Sequence, residues 1–115
     1  MTVREAIQKL ELDVLAGGAA ADREISGGYA SDMLSDVIGH AGAGNVWVTM
    51  QTHANVVAVA VLKELSAVIF VNGRKPDEET VAKAKSENVV LLATPLSAFE
   101  AAGRLYALGI RGERR

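Results

Sequence analysis

The feature that most constrains this chain is an alternation that begins at Asn45. Three short apolar runs, residues 45–50, 67–71 and 89–93, are each followed by a segment with helical patterning. Runs of this length, dense in Val, Ile and Leu, read as strands buried on both faces. Parallel neighbours in a sheet need a crossover, which is usually a helix. Strand, helix, strand, helix, strand, helix therefore implies a parallel sheet with helices on both faces. The expected class is α/β, a layered α/β/α domain whose mostly parallel sheet has about four to five strands.

The elements around this frame carry their own signals. Thr2 and Glu5 have capping-box spacing, and Val3, Ala6, Ile7 and Leu10 then recur on one helical face. Leu12, Val14 and Leu15 read as a short strand ended by Gly17-Gly18. Residues 19–23 are a loop, and 24–26 a brief extended piece before Gly27-Gly28. Met33, Leu34, Val37 and Ile38 mark an amphipathic helix with Ser31 or Asp32 as N-cap. Residues 56–62 are rich in Val, which local propensity allows in a strand. Extended through Leu65 they make three helical turns with Asn55 as N-cap, apolar nearly all round and so buried on more than one side. Asp77, Glu78 and Glu79 open the next helix, where the macrodipole favours acids, and Asn88 suits its C′ position. Ser97 and Glu100 form a second capping box, with Phe99, Ala102, Leu105 and Tyr106 facing inward and Gly109 as the stop. The chain reads as one domain over residues 3–109 with a frayed basic tail at 110–115.

Composition narrows the partners. The chain of 115 residues has a net charge of −2 and five aromatic residues, which gives no electrostatic footprint and few stacking rings for nucleic acid. It has no cysteine, so disulfides, thiolate metal sites and a Cys nucleophile are excluded. No signal-peptide pattern opens the chain, and residues 56–62 are too few to span a bilayer. A soluble, cytoplasmic protein without membrane or nucleic-acid partners is expected, with no cofactor or metal.

In open parallel sheets ligands bind beyond the carboxyl ends of the strands. That rule selects Thr49, Gln51, Thr52, His53 and Asn55 after the first run, Asn72, Arg74 and Lys75 after the second, and Thr94 after the third. His53 suits a phosphate contact, general-base work or a plain loop position. Arg74-Lys75 suits neutralising an anion or a solvated turn. Gly27-Gly28, directly before a helix start, suits a close approach of backbone to an anion or another subunit. Asp22 and Arg23 form a local ion pair, or Arg23 reaches across a dimer interface. Tyr29 fits an interface position and Trp47 the core. Asp32 and Asp36 stand at i and i+4, most simply on a solvated face. No Gly-Lys-Ser/Thr ending makes the glycines a Walker loop, and no Gly-x-Gly-x-x-Gly follows a strand. No Ser/His/Asp set has elbow spacing.

Asp22-Arg23 followed by Gly27-Gly28-Tyr29 and Ser31-Asp32, then residues 34–37, resembles the DRTGG domain family. The segments at 47–55, 73–76 and 96–100 agree with it, so the resemblance spans roughly residues 3–109. Ser26 stands where the family has Thr and keeps the hydroxyl. The resemblance implies an α/β domain similar to the N-terminal domain of HPr kinase/phosphorylase. It also implies an accessory role, since such domains accompany CBS pairs, phosphotransacetylases or regulated pyrophosphatases. This chain looks like a stand-alone version. The resemblance marks Asp22, Arg23, Gly27, Gly28, Thr49, Gln51, Thr52, His53 and Arg74 as structural or binding positions, not catalytic ones. The expected function is a non-enzymatic regulatory module that homodimerises, binds a small anionic metabolite or nucleotide, and serves a partner enzyme or kinase. A pure interaction scaffold and a small phosphohydrolase or transferase are the alternatives.

Overall fold

A computed structural model describes residues 1–112. Five strands form one sheet: β1 (Asp13–Ala16), β2 (Gly27–Ala30), β3 (Asn45–Thr49), β4 (Ala67–Phe70) and β5 (Leu91–Ala93), in the spatial order β1-β5-β4-β3-β2. β2 to β5 pair in parallel, and β1 adds antiparallel to the free side of β5. The helices are α1 (Val3–Leu10), α2 (Leu34–His40), α3 (Asn55–Leu62), α4 (Glu78–Ser86) and α5 (Ala98–Ala107). The α/β class and the mostly parallel sheet are as the alternation requires.

Both faces of the sheet are apolar because both are covered. Val46, Val48, Ile69 and Leu92 point to a layer that includes α1 and α5. Trp47, Val68, Phe70 and Leu91 point the other way, to α2, α3 and α4. Each such side chain contributes about 1.5–3 kcal/mol by leaving water. The strands step one place at a time from β2 to β5, with the three connecting helices on one face. The parallel part therefore has no reversal of strand order, the place where a ligand crevice usually opens.

Several local expectations give way to packing. The glycine pair is not a turn before a helix: Gly27 and Gly28 lie inside β2, opposite Asn45 and Val46, and neither has positive φ. Their small size serves the chain's own C-terminal segment. A Cβ on Gly27 would meet the Arg111 carbonyl oxygen at 2.8 Å, and the Gly28 N–H donates to that oxygen at 2.9 Å. Ile110 is buried and Arg111 stacks its guanidinium on the Tyr106 ring, so these two residues pack on the domain. Residues 113–115 of the expected tail lie outside the described residues. Met33 occupies the N-cap position of α2 in place of Ser31 or Asp32, and Ala54 that of α3 in place of Asn55. The α3 helix buries Val56, Val57, Val59 and Ala60 but exposes Ala58, Val61 and Leu62, so it is covered on one side only. In α5 the inward residues are Ala101 and Leu105, while Phe99 is 89% exposed and Tyr106 is also exposed. The Thr2/Glu5 capping box is complete. At α5 the Ser97 hydroxyl accepts from the Glu100 N–H, and the Glu100 carboxylate pairs with Arg104.

Candidate functional site

Four loops follow the parallel strands and share one edge of the sheet. The first two are bridged by a buried hydroxyl and a carboxylate, the last two by backbone hydrogen bonds. Thr49 closes β3 and is 1% exposed. Its hydroxyl donates to Asp32 Oδ1 at 2.8 Å, in the loop after β2, and accepts from the Gln51 N–H at 3.0 Å. The same Asp32 oxygen accepts from the Met50 N–H at 2.9 Å. Gln51 Oε1 then accepts from the His53 N–H, and His53 Nδ1 accepts from the Asn55 N–H at 3.0 Å. The His53 side chain thus satisfies one of the free N–H groups at the start of α3, a task the sequence suggested for Asn55.

The next two loops are joined by backbone hydrogen bonds instead. The Asn72 N–H donates to the Leu96 carbonyl at 2.8 Å and the Gly73 N–H to the Thr94 carbonyl at 3.0 Å. Asn72 sits at φ 57 and Gly73 at φ 68, so the chain turns here through two left-handed residues. Thr94 is buried, and its hydroxyl accepts from the Leu96 N–H. Arg74 and Lys75 are exposed, and neither makes an ion pair among the described residues. The loops of this edge therefore carry two exposed cations, Arg74 and Lys75, and the side-chain amides of Gln51 and Asn72. Thr52, also on this edge, is half-buried.

The residues at the start of β2 have other tasks. Asp22 does not pair with Arg23: its carboxylate accepts from Arg4 Nε at 2.9 Å. Arg23 donates from Nη2 to the Asn88 carbonyl at 2.7 Å, at the end of α4. Ser26 donates to the Ala43 carbonyl and accepts from the fully buried Asn45. Tyr29 is half-buried and donates to Asp36 Oδ2 at 2.7 Å, and His40 approaches Asp36 Oδ1 at 2.9 Å. The Tyr29 hydroxyl, then Ser31 and then His40, hold the Asp36 carboxyl below the usual aspartate value. Asp32 starts no helix and shares no face with Asp36, since α2 begins at Leu34.

The grooves nearest these loops touch the predicted edge residues only at Thr94 and Asn55. A groove of about 380 Å³ between Arg23, Glu64, Ser66 and Asn88 is at the opposite, amino end of the strands. One of about 220 Å³ lies between Lys9, Thr94, Leu96 and Arg104. Gln51, Thr52, His53, Arg74 and Lys75 line neither. Among the described residues no cluster of His, Cys, Asp or Glu suits a metal ion, and no helix is long and apolar enough to cross a membrane. Sequence reasoning gave Asp32 only a capping or solvated position and Asn45 no role. Asn45 carried a signal, a polar residue at the start of an apolar run, where a loop must be fixed to the sheet; Asp32 carried none.

No family model matches this sequence, and no curated protein matches it. A solved structure does. The chain is similar to the regulatory region of Clostridium perfringens pyrophosphatase, which comprises CBS and DRTGG domains and was crystallised with its activator, diadenosine tetraphosphate. The TM-score is 0.74 at 16% identity, over 90% of this chain and 45% of that one. The two share a fold. This chain spans under half the length of that regulatory region.

Proposed function

We infer that this chain is a regulatory module of the DRTGG kind. It holds a phosphorylated nucleotide at the carboxyl edge of its parallel sheet and relays occupancy to a second copy or a partner enzyme. The observation that carries the reading is the fold shared over 90% of the chain with a regulatory region that has a nucleotide activator. The Asp22-Arg23 and Gly27-Gly28 pairs support the DRTGG portion of that region as the counterpart. On the edge, Arg74 supplies a planar fork for phosphate oxygens and Lys75 a second charge. Gln51, Thr52, His53 Nε2, Asn55 and Asn72 supply neutral polar contacts nearby. Thr49 and Thr94 are buried and serve by fixing these loops rather than by touching the ligand.

Regulation fits the edge better than catalysis. A general base needs an unengaged lone pair within reach of its proton. His53 Nδ1 already accepts the Asn55 N–H, and Asp32 Oδ1 accepts from both Thr49 and Met50, so each group is held in the scaffold of the edge. The test is thermal unfolding with diadenosine tetraphosphate, ATP, AMP and inorganic phosphate. A ligand at a hundred times its Kd stabilises by about 2.7 kcal/mol. In a domain of this size that raises Tm by about 10 °C. The dinucleotide or ATP should give that shift and phosphate much less. No shift with any of them at millimolar concentration would contradict the reading.

A further inference from the structure

The α3 helix is the middle one of three on its face of the sheet, and its outward side has no charge. From Asn55 to Leu62 the sequence is Asn, Val, Val, Ala, Val, Ala, Val, Leu. A helix facing water normally sets charged side chains opposite its buried stripe. Here Ala58 is exposed, Val61 is 45% and Leu62 64% exposed, and Ile38 of α2 extends the apolar surface. Grooves flank the helix on both sides, about 370 Å³ toward Leu34 and Ile38 of α2 and about 400 Å³ toward Glu79 and Lys83 of α4.

The geometry points to a second copy of this chain as the occupant. The two copies meet through α3 about a two-fold axis at Ala58, with the two α3 helices antiparallel. This rests on the reading of the chain as a self-associating regulatory module. Two features single out a like copy. A residue on a two-fold axis meets itself, so a charge there would be repelled, and an alanine in an uncharged strip is what such a contact needs. The second is the charge order along α4. Glu78 and Glu79 stand in its first turn and Lys83 and Lys85 in its last, where Glu87 at the C-cap offsets Lys83 and leaves Lys85 as its cation without an ion pair among the described residues. α2, α3 and α4 run parallel to one another, because each returns from the end of one parallel strand to the start of the next. An antiparallel copy therefore sets the acids of one α4 against Lys85 of the other. Leu62 of each copy then faces the groove beside the amino-terminal half of the other's α3.

Sedimentation velocity over a concentration series tests this, with circular dichroism to confirm the fold of each variant. Wild type should be a dimer. Ala58→Glu and Ala58→Lys should each be monomeric, with self-association weakened about a hundredfold by like charges at the axis. An equimolar mixture of the two should dimerise again. Phe99→Glu, on the opposite layer, should remain a dimer. Dimeric Ala58→Glu and Ala58→Lys would overturn the assignment while leaving self-association intact, as would loss of the dimer only in Phe99→Glu. Two monomeric variants whose mixture stays monomeric would overturn the two-fold axis at Ala58. A wild type that is monomeric at millimolar concentration would overturn self-association itself. Nucleotide-induced thermal shifts would then still test the ligand reading separately.

Discussion

Gly27→Ala separates a glycine pair that admits the C-terminal segment from one that makes a turn. The added Cβ would lie 2.8 Å from the Arg111 carbonyl oxygen and 3.3 Å from Asn45 Nδ2. Neither neighbour can move cheaply. The carbonyl is the acceptor of the Gly28 N–H, and Asn45 is fully buried and holds Ser26 and the Gly42 N–H. Displacing the segment loses that hydrogen bond, about 1 kcal/mol. It also exposes part of Ile110, about 1–2 kcal/mol. Restricting the unfolded chain returns about 0.4–1 kcal/mol. The net cost is about 1.5 kcal/mol, or a Tm lower by about 6 °C. Gly28→Ala is the control, because its Cβ would meet Ile110 Cγ2 at 3.3 Å, a side-chain contact that a shift of a few tenths of an ångström relieves. That variant should fall within about 0.5 kcal/mol of wild type. Urea unfolding of both, read at constant m, measures the difference. A Gly27→Ala protein as stable as wild type, or a Gly28→Ala protein less stable than Gly27→Ala, would refute the reasoning.

Three further outcomes follow from the edge and its carboxylates. Asp32→Ala should cost about 1–3 kcal/mol in urea unfolding, because the buried Thr49 hydroxyl and the Met50 N–H lose their acceptor; Asp32→Asn, which keeps an acceptor oxygen, should cost less. Glu5, Asp36 and Asp77 all titrate below their usual values, through Thr2, Tyr29 and Thr80 respectively. Their folded forms bind fewer protons than the unfolded chain, so their contribution is present above the ordinary carboxylate range and is lost as pH falls through it. Carboxyl NMR of Tyr29→Phe should show the Asp36 pKa rising while Glu5 and Asp77 stay in place. Replacing both Arg74 and Lys75 by Ala should leave stability within about 0.5 kcal/mol. By calorimetry the same change should weaken nucleotide binding at least tenfold and flatten its salt dependence; unchanged binding would remove these cations from the site.

What the sequence made legible was whatever local pattern alone decides. The three apolar runs became β3, β4 and β5 because their alternate residues are apolar on both faces. The Thr2 and Ser97 caps formed because their partners are three residues away. What stayed hidden was set by neighbours distant in the chain. Gly27 and Gly28 have no strand propensity; they join the sheet because β3 offers a parallel edge and Ile110-Arg111 needs close access. Phe99 and Tyr106 follow helical spacing, yet the inward direction of α5 was fixed by the smaller Ala101 and Leu105. At the strand ends the loops were legible as positions, since they follow from the order of elements. The Asp32–Thr49 bond joins residues 17 apart in the chain. Only the parallel pairing of β2 with β3 brings them together, and neither residue type announces it.

An amide-detected NMR titration with diadenosine tetraphosphate tests the central claim most directly. A regulatory module that holds a nucleotide at the carboxyl edge should show saturable shifts centred on residues 51–55 and 72–75, and these should vanish when Arg74 and Lys75 are both replaced by Ala. Shifts confined to the Arg23, Ser66 and Asn88 groove at the opposite end, or no shifts at millimolar ligand, would contradict it.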